Sequence, residues 1–220
     1  MSFGKIYSYP NNPRVFKALV AAKLNNLDVA YPQDFQMGVT NTTEDFKSKF
    51  PTTRVPAFEG ADGVNLFDSD AIAQYIAESG PQADRLLGSN PAERATIRQW
   101  IAYASSDFMP LLTQLVLPRM GITKYDTSID EKYLPMFHKQ FKSLDAFLEK
   151  RKYLTSEKEW NMADVSLVAA LWWSFAFIAG EEERQQYPAL MRWFKSVTED
   201  DVVKSVFGEV KYTDKIVIPQ

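Results

Sequence analysis

Residues 53–58 read TRVPAF, and Pro56 interrupts an apolar run that would otherwise pass for a strand entering a core. Proline has no backbone N–H to give to a sheet ladder, so it belongs to a strand edge, a bulge or a deliberate turn. Just downstream, ADG at 61–63 is turn-forming, and VNLF at 64–67 reads as the strand that returns beside AFEG. Upstream, KIYSY at 5–9 is a short strand-like run closed by PNNP at 10–13, and RVFKALVAAKLNN carries Val15, Leu19 and Ala22 at helical spacing. LDVAYP at 27–32 reads as a second strand, and TTEDFKSKFP at 42–51 as a short helix that Pro51 ends. Asp68 to Ser79 completes the series as a helix with acidic and hydroxyl residues in its first turn. The order is β-α-β-α-β-β-α over residues 1–80.

From Asn90 onward the pattern is helical throughout. NPAE at 90–93 offers Asn as N-cap, Pro in the first helical position and Glu at N3. That helix runs through RATIRQWIAYASSDF, and Pro110 should kink or interrupt it before LLTQLVL. SIDEKYLPMFHKQFKSLDAFLEKR, NMADVSLVAALWWSFAFI and YPALMRWFKSV are further helices, the second apolar on nearly all sides and therefore central. Within it Trp172, Trp173, Phe175 and Phe177 read as core rather than as a binding patch. His138 reads as a surface residue and Glu181–Glu183 with Arg184 as a solvated loop. Three parts follow: an α/β domain at 1–80, a polar linker at 81–89, and an all-helical domain at 90–220.

Composition removes many function classes. The chain has no cysteine and a single histidine, so disulfides, thiolate metal sites, a cysteine nucleophile and a serine-histidine triad lack their materials, and no metal is expected. With 25 basic and 28 acidic residues spread along the chain, no basic face points to nucleic acid or to anionic lipid. The N-terminus lacks a charged segment followed by an apolar one, and the longest apolar run is interrupted by serines. A soluble cytoplasmic protein without a membrane partner is the default expectation.

Three spaced signals carry a resemblance: RVPAF at 54–58, LFDSDAI at 66–72, and EWNMADVSL at 159–167. The last has Asn161 as N-cap and Asp164 at N3, with Trp160 and Val165 placed as a hydrophobic staple, a device worth about 1 kcal/mol for the cap. In this order they resemble the glutathione transferase superfamily, whose cytosolic members join a thioredoxin-like α/β domain to an all-α domain. The stretches MSFGKIYSYPNNPRVFKALVAAK, FPTTRVPAFEGADGVNLFDSDAIAQYIA, RQWIAYASSD, RWF and FGEVK are similar to the N-terminal glutathione-transferase-like domains of the gamma subunits of eukaryotic translation elongation factor 1.

The resemblance implies glutathione as substrate or bound ligand. The bond before Pro56 would be cis and the main chain of Val55 free to pair with the bound tripeptide. Asp68 and Ser69, at a helix N-terminus, would take the γ-glutamyl ammonium and carboxylate. Asp stands there where the family usually has Glu. Arg54 would face the glycine end, with Asn41 and Thr42 where several classes have His and Lys, and Arg14 is a candidate cationic partner. Asn12 stands at the position of the catalytic serine of the serine-type classes; its amide can donate a hydrogen bond to the sulfur but cannot ionise, and Tyr7, Ser8, Tyr9 and Asn11 are neighbouring alternatives. Strand alternation would send both Tyr7 and Tyr9 into the core.

Two functions follow from the resemblance. One is a scaffold that holds the nucleotide-exchange subunit of the elongation factor 1 complex and keeps a glutathione pocket with little or no catalysis. The other is an active transferase that conjugates glutathione to electrophiles. A homodimer is expected for either. Gamma subunits continue into a Lys-rich linker, whereas this sequence stops at KYTDKIVIPQ; a cut at that boundary and a short relative both fit, and the position of the ending favours the cut.

Overall fold

A computed structural model describes residues 2–219. The chain divides into two compact units between Ala95 and Thr96.

The first unit contains β1 (Gly4–Tyr7), α1 (Pro13–Leu24), β2 (Val29–Ala30), α2 (Glu44–Lys49), β3 (Ala57–Gly60), β4 (Asn65–Phe67), α3 (Ser69–Glu78) and α4 (Ala83–Leu87). Its sheet has the order β2-β1-β3-β4. β1 runs parallel to β2, with Lys5 opposite Ala30, and antiparallel to β3, with Tyr7 opposite Ala57. β3 and β4 are antiparallel, with Ala57 opposite Phe67. Alternation sends Ile6 and its partner Phe58 to one face, both fully buried. It sends Tyr7 and Ala57 to the other face, where Phe35, Phe46 and Phe50 gather. Helices α1 and α3 pack along each other. Their far ends are tied by Asn25, which donates to the carbonyls of Ile76 and Ala77 and accepts from Gln82 N–H. A side chain at Gly80 would bring a Cβ within 2.4 Å of Asn25 Oδ1, so only glycine permits this approach.

The quoted stretch is thus mostly not strand. Ladder pairing begins at Ala57, one residue past the proline, and the Val55–Pro56 bond is cis.

The second unit takes in most of α5 (Pro91–Tyr103) and then α6 (Met109–Arg119), α7 (Thr127–Leu148), α8 (Met162–Phe177), α9 (Glu181–Gln185), α10 (Pro188–Thr198) and α11 (Asp201–Phe207). Pro110 does interrupt the run: residues Ala104–Phe108 widen into a π turn between α5 and α6, which absorbs the hydrogen bond that Pro110 cannot donate. Thirteen of the sixteen residues of α8 are buried, as its all-round apolar sequence requires. Its capping box is formed, with Asn161 Oδ1 accepting from Ala163 N–H and Asn161 N–H donating to Asp164 Oδ2. Trp172 and Phe175 are buried, and Trp173 and Phe177 are half-buried.

Four expectations are corrected. The linker at 81–89 contains α4, and residues 181–185 form α9; helices of one turn are too short to show a period. Arg184 is not a solvated side chain, because it donates to the carbonyls of Ala179 and Thr213 and lies over the Tyr212 ring. His138 is half-buried, with Nδ1 3.2 Å from Tyr187 Oη. Tyr9 is not core, being 37% exposed beyond the end of β1.

Candidate functional site

Sheet register brings the sequence-predicted residues to one end of the first unit. Tyr7 faces Ala57 and Ala57 faces Phe67, so the next residues along, Ser8, Pro56 and Asp68, leave the same edge of the sheet side by side. From there the chain runs into α1 through Asn12, back from β3 to Val55 and Arg54, and into α3 through Ser69.

At the first of these exits Asn12 is the N-cap of α1 and is buried. Its Oδ1 accepts from Arg14 N–H at 3.1 Å, and its Nδ2 donates to Ser8 Oγ at 2.9 Å. Ser8 is fully buried. Asn11 is exposed at φ 58°, a left-handed conformation that Asn tolerates. Tyr31, just past β2, reaches across and donates from Oη to the Tyr9 carbonyl at 2.5 Å. Tyr7 is committed elsewhere: its hydroxyl donates to Glu59 Oε2 at 2.7 Å. Burial and the adjoining Glu59 carboxylate push the Tyr7 phenol well up. The same hydrogen bond, with Lys49 at 3.0 Å, holds Glu59 below its ordinary value.

At the third exit Asp68 caps α3 from an unusual backbone conformation, φ 80° and ψ 127°. Its Oδ1 accepts from the N–H groups of Asp70 and Ala71, which offsets the cost of that conformation. Capping engages one carboxylate oxygen, Oδ1, so the structural role alone does not use Oδ2. Ser69 is buried at the first helical position, where an N–H has no helical acceptor. Behind it Asp70 pairs with Lys17 of α1, both nearly buried. Burial pushes the Lys17 ammonium down and Asp70 works against it.

Between these exits the segment before β3 is held by Asn41. Its Oδ1 accepts from Gly38 N–H at 2.7 Å, and its Nδ2 donates to the Thr53 carbonyl at 2.9 Å. That bridge supports Thr53 at φ 53°, which is strained for a β-branched residue. Arg54 is exposed and without an ion pair among the described residues, and Thr42 is exposed. Val55 packs its side chain against the Phe35, Phe46 and Phe50 cluster, and its main chain makes no backbone hydrogen bond among the described residues.

Sequence reasoning missed Tyr31, Lys17 and Asp70. A tyrosine after a short strand and a lysine in an amphipathic helix carry no local signal of burial; only the parallel pairing of β1 with β2 and the packing of α1 on α3 bring them in. A cavity of about 180 Å³ walled by Lys5, Tyr7, Pro32, Asp34, Phe35 and Thr40 includes none of the residues assigned to glutathione. Among the described residues no cluster of His, Cys, Asp or Glu could hold a metal ion, and no helix is long and apolar enough to cross a membrane.

A small mixed sheet whose strands and helices alternate in this order, followed by a helical unit with an internal capping box, defines a thioredoxin-like unit joined to a glutathione-transferase helical unit. The chain belongs to the glutathione S-transferase family: residues 2–78 match the family's N-terminal domain and residues 108–201 its C-terminal domain. It is 44% identical over 214 residues to the Glutathione S-transferase-like protein FUS3 of Gibberella moniliformis, covering 97% of this chain and 96% of that one. It is 36% identical to human Elongation factor 1-gamma across 98% of this chain, and spans about half (49%) of that protein. The crystal structure of the GST-like domain of Elongation factor 1-gamma from Saccharomyces cerevisiae superposes over 100% of both chains, with a TM-score of 0.84 at 25% identity. The fold is also that of a theta class glutathione S-transferase from Xanthomonas axonopodis pv. citri solved with glutathione bound, with a TM-score of 0.82 at 21% identity, over 95% of this chain and 99% of that one.

Proposed function

We propose that the chain binds glutathione where β1 and β4 end and β3 begins, with weak or no capacity to activate its thiol. The supporting observation is the register that lines up Ser8, Pro56 and Asp68 at one edge of the sheet. There the unpaired main chain of Val55, beside Pro56, takes the cysteinyl main chain of the tripeptide as an added strand. Ser69 N–H and Oγ take the γ-glutamyl carboxylate, and Asp68 Oδ2 takes the ammonium. Arg54 and Asn41 serve the glycine carboxylate, Arg54 as the exposed cation and Asn41 by fixing the loop beside it; Arg14 adds positive charge near the sulfur. Asn12 donates to the sulfur from Nδ2. An amide neither ionises nor accepts the thiol proton, so it stabilises thiolate by one neutral hydrogen bond, and conjugation is slow.

Calorimetric titration with glutathione, followed by turnover of a chromogenic electrophile by the protein and by its Asn12→Ala variant, tests this reading. Binding with slow turnover that Asn12→Ala lowers further is the expected result. Fast turnover unchanged by Asn12→Ala would contradict the role of Asn12, and absence of binding would contradict the site.

A second reading is favoured by the full-length superposition on the yeast Elongation factor 1-gamma domain. In it the chain is a cytoplasmic, homodimeric scaffold for the exchange-factor subunit of that complex. Copurification of that subunit with the tagged chain, and a dimer by sedimentation at micromolar concentration, are the results expected of a scaffold. A monomer that captures no such subunit would leave only the glutathione reading.

A further inference from the structure

The cavity of about 180 Å³ beside β1 shares no residue with the proposed glutathione site, and its two walls come from different parts of the first unit. Lys5 and Tyr7 form one wall, two positions apart on β1 and therefore on the same face of the sheet. Pro32, Asp34, Phe35 and Thr40, from the segment after β2, form the other. That second wall is fixed by its own contacts. Phe35 is buried with Phe46 and Phe50, Thr40 N–H donates to the Gln36 carbonyl at 2.8 Å, and Thr40 Oγ1 accepts from Gln36 N–H at 3.0 Å. The space is slightly larger than the roughly 150 Å³ in which an apolar protein interior holds one benzene molecule.

Charge on the walls distinguishes this space from a packing defect. The Lys5 ammonium lies 4.3 Å from the centroid of the Tyr7 ring, and no carboxylate is within ion-pair distance of it among the described residues. Glu59, its partner across the ladder, is already engaged by the Tyr7 hydroxyl at 2.7 Å and the Lys49 ammonium at 3.0 Å. Asp34, on the opposite wall, is exposed and has neither an ion pair nor a side-chain hydrogen bond among the described residues. A ligand with a single charge would satisfy one wall and be repelled by the other, whereas a ligand with both charges satisfies both. Between the charges, the rings of Tyr7, Pro32 and Phe35 offer contact to an apolar body.

We infer that this cavity binds a free α-amino acid with an apolar side chain the size of a single ring. Its carboxylate pairs with Lys5, its ammonium with Asp34, and its side chain lies against Tyr7, Pro32 and Phe35. The site is separate from the one proposed for glutathione and stands without it.

Titration of the protein's amide resonances with L-phenylalanine tests this, in the protein and in its Lys5→Met and Asp34→Asn variants. Hydrocinnamate and phenethylamine, analogues that each lack one charge, are titrated beside it. The expected result is saturable binding of L-phenylalanine at about millimolar concentration, with shifts at β1 and residues 32–40, weakened roughly tenfold by either substitution as one charge-assisted contact is lost. Hydrocinnamate should lose affinity in Lys5→Met and not in Asp34→Asn, and phenethylamine the reverse. Neither substitution removes an ion pair, so the amide resonances of α1 and α3 should match the parent's. No saturable shift with L-phenylalanine at about 10 mM would overturn the inference. Equal affinity in the protein and both variants, or shifts centred on Val55 and Ser69, would overturn it as well. Saturating glutathione should leave L-phenylalanine affinity within about twofold, as expected of separate, uncoupled sites. Displacement by glutathione would assign the amino acid to the γ-glutamyl position and overturn the inference, whereas failure of glutathione to bind would contradict the glutathione reading alone.

Discussion

The indole of Trp193, on α10, donates to Asp164 Oδ1 at 2.7 Å, at the first turn of α8. The same oxygen accepts from Leu154 N–H at 2.9 Å, and Oδ2 takes Asn161 N–H at 3.1 Å. One fully buried carboxylate thereby joins the helix start, the loop before it and α10. Asp164→Ala leaves three buried donors without acceptors, and the expected cost is about 3 kcal/mol or more. Urea denaturation followed by tryptophan fluorescence checks this, and a loss under about 1 kcal/mol would mean that the hub is dispensable.

Lys17 and Asp70 form the corresponding buried contact in the first unit, between α1 and α3. Removing one partner strands the other charge, so Lys17→Met and Asp70→Leu should each cost about 3–5 kcal/mol. The double variant should recover most of that loss, because two apolar residues avoid the desolvation of both charges. A double-mutant cycle measured by chemical denaturation would contradict this if the two losses simply added.

Glu59 gives the unit an acid-sensitive contact. Its hydrogen bond from Tyr7 and its ion pair with Lys49 hold its carboxyl below the ordinary 4.5. A depressed carboxyl stabilises the fold fully above the ordinary value, and that contribution is lost as pH falls through the folded-state value. The stability difference between the protein and Glu59→Gln should therefore be present at neutral pH and fade below 4.5. A difference that stays constant across this window would contradict the assignment.

Arg184 ties the segment after α11 to the end of α8. Its guanidinium joins the Ala179 and Thr213 carbonyls, while the N–H groups of Thr213 and Val217 donate to the Phe175 and Phe177 carbonyls at the C-terminal end of α8. Arg184→Ala should speed hydrogen exchange at Thr213 and Val217 by about tenfold, the equivalent of one charge-assisted hydrogen bond. Unchanged exchange at both amides would show that the backbone bonds hold the segment unaided.

Much of this was legible in the sequence because each signal had a local cause. Pro56 barred a strand, NMAD carried its own cap, and the apolar surround of α8 announced its burial. The candidate site residues came from the family resemblance, through motifs that sit at element ends. The register that lines up Ser8, Pro56 and Asp68 was not readable, since pairing across the sheet depends on partners far along the chain. Nor were Lys17, Tyr31 and Arg184, whose roles arise from tertiary contacts that no window of neighbouring residues encodes. The π turn before Pro110 shows the limit from another side: the proline's effect was readable, but not whether the helix would bend, break or widen.

The central claim is that the unpaired main chain beside Pro56 and the start of α3 receive glutathione. A crystal structure of the protein soaked with glutathione tests it most directly. The account predicts the cysteinyl main chain hydrogen-bonded to Val55 N–H and C=O, the γ-glutamyl carboxylate on Ser69, and the sulfur within hydrogen-bond distance of Asn12 Nδ2. Glutathione bound elsewhere, or absent at saturating concentration, would contradict it.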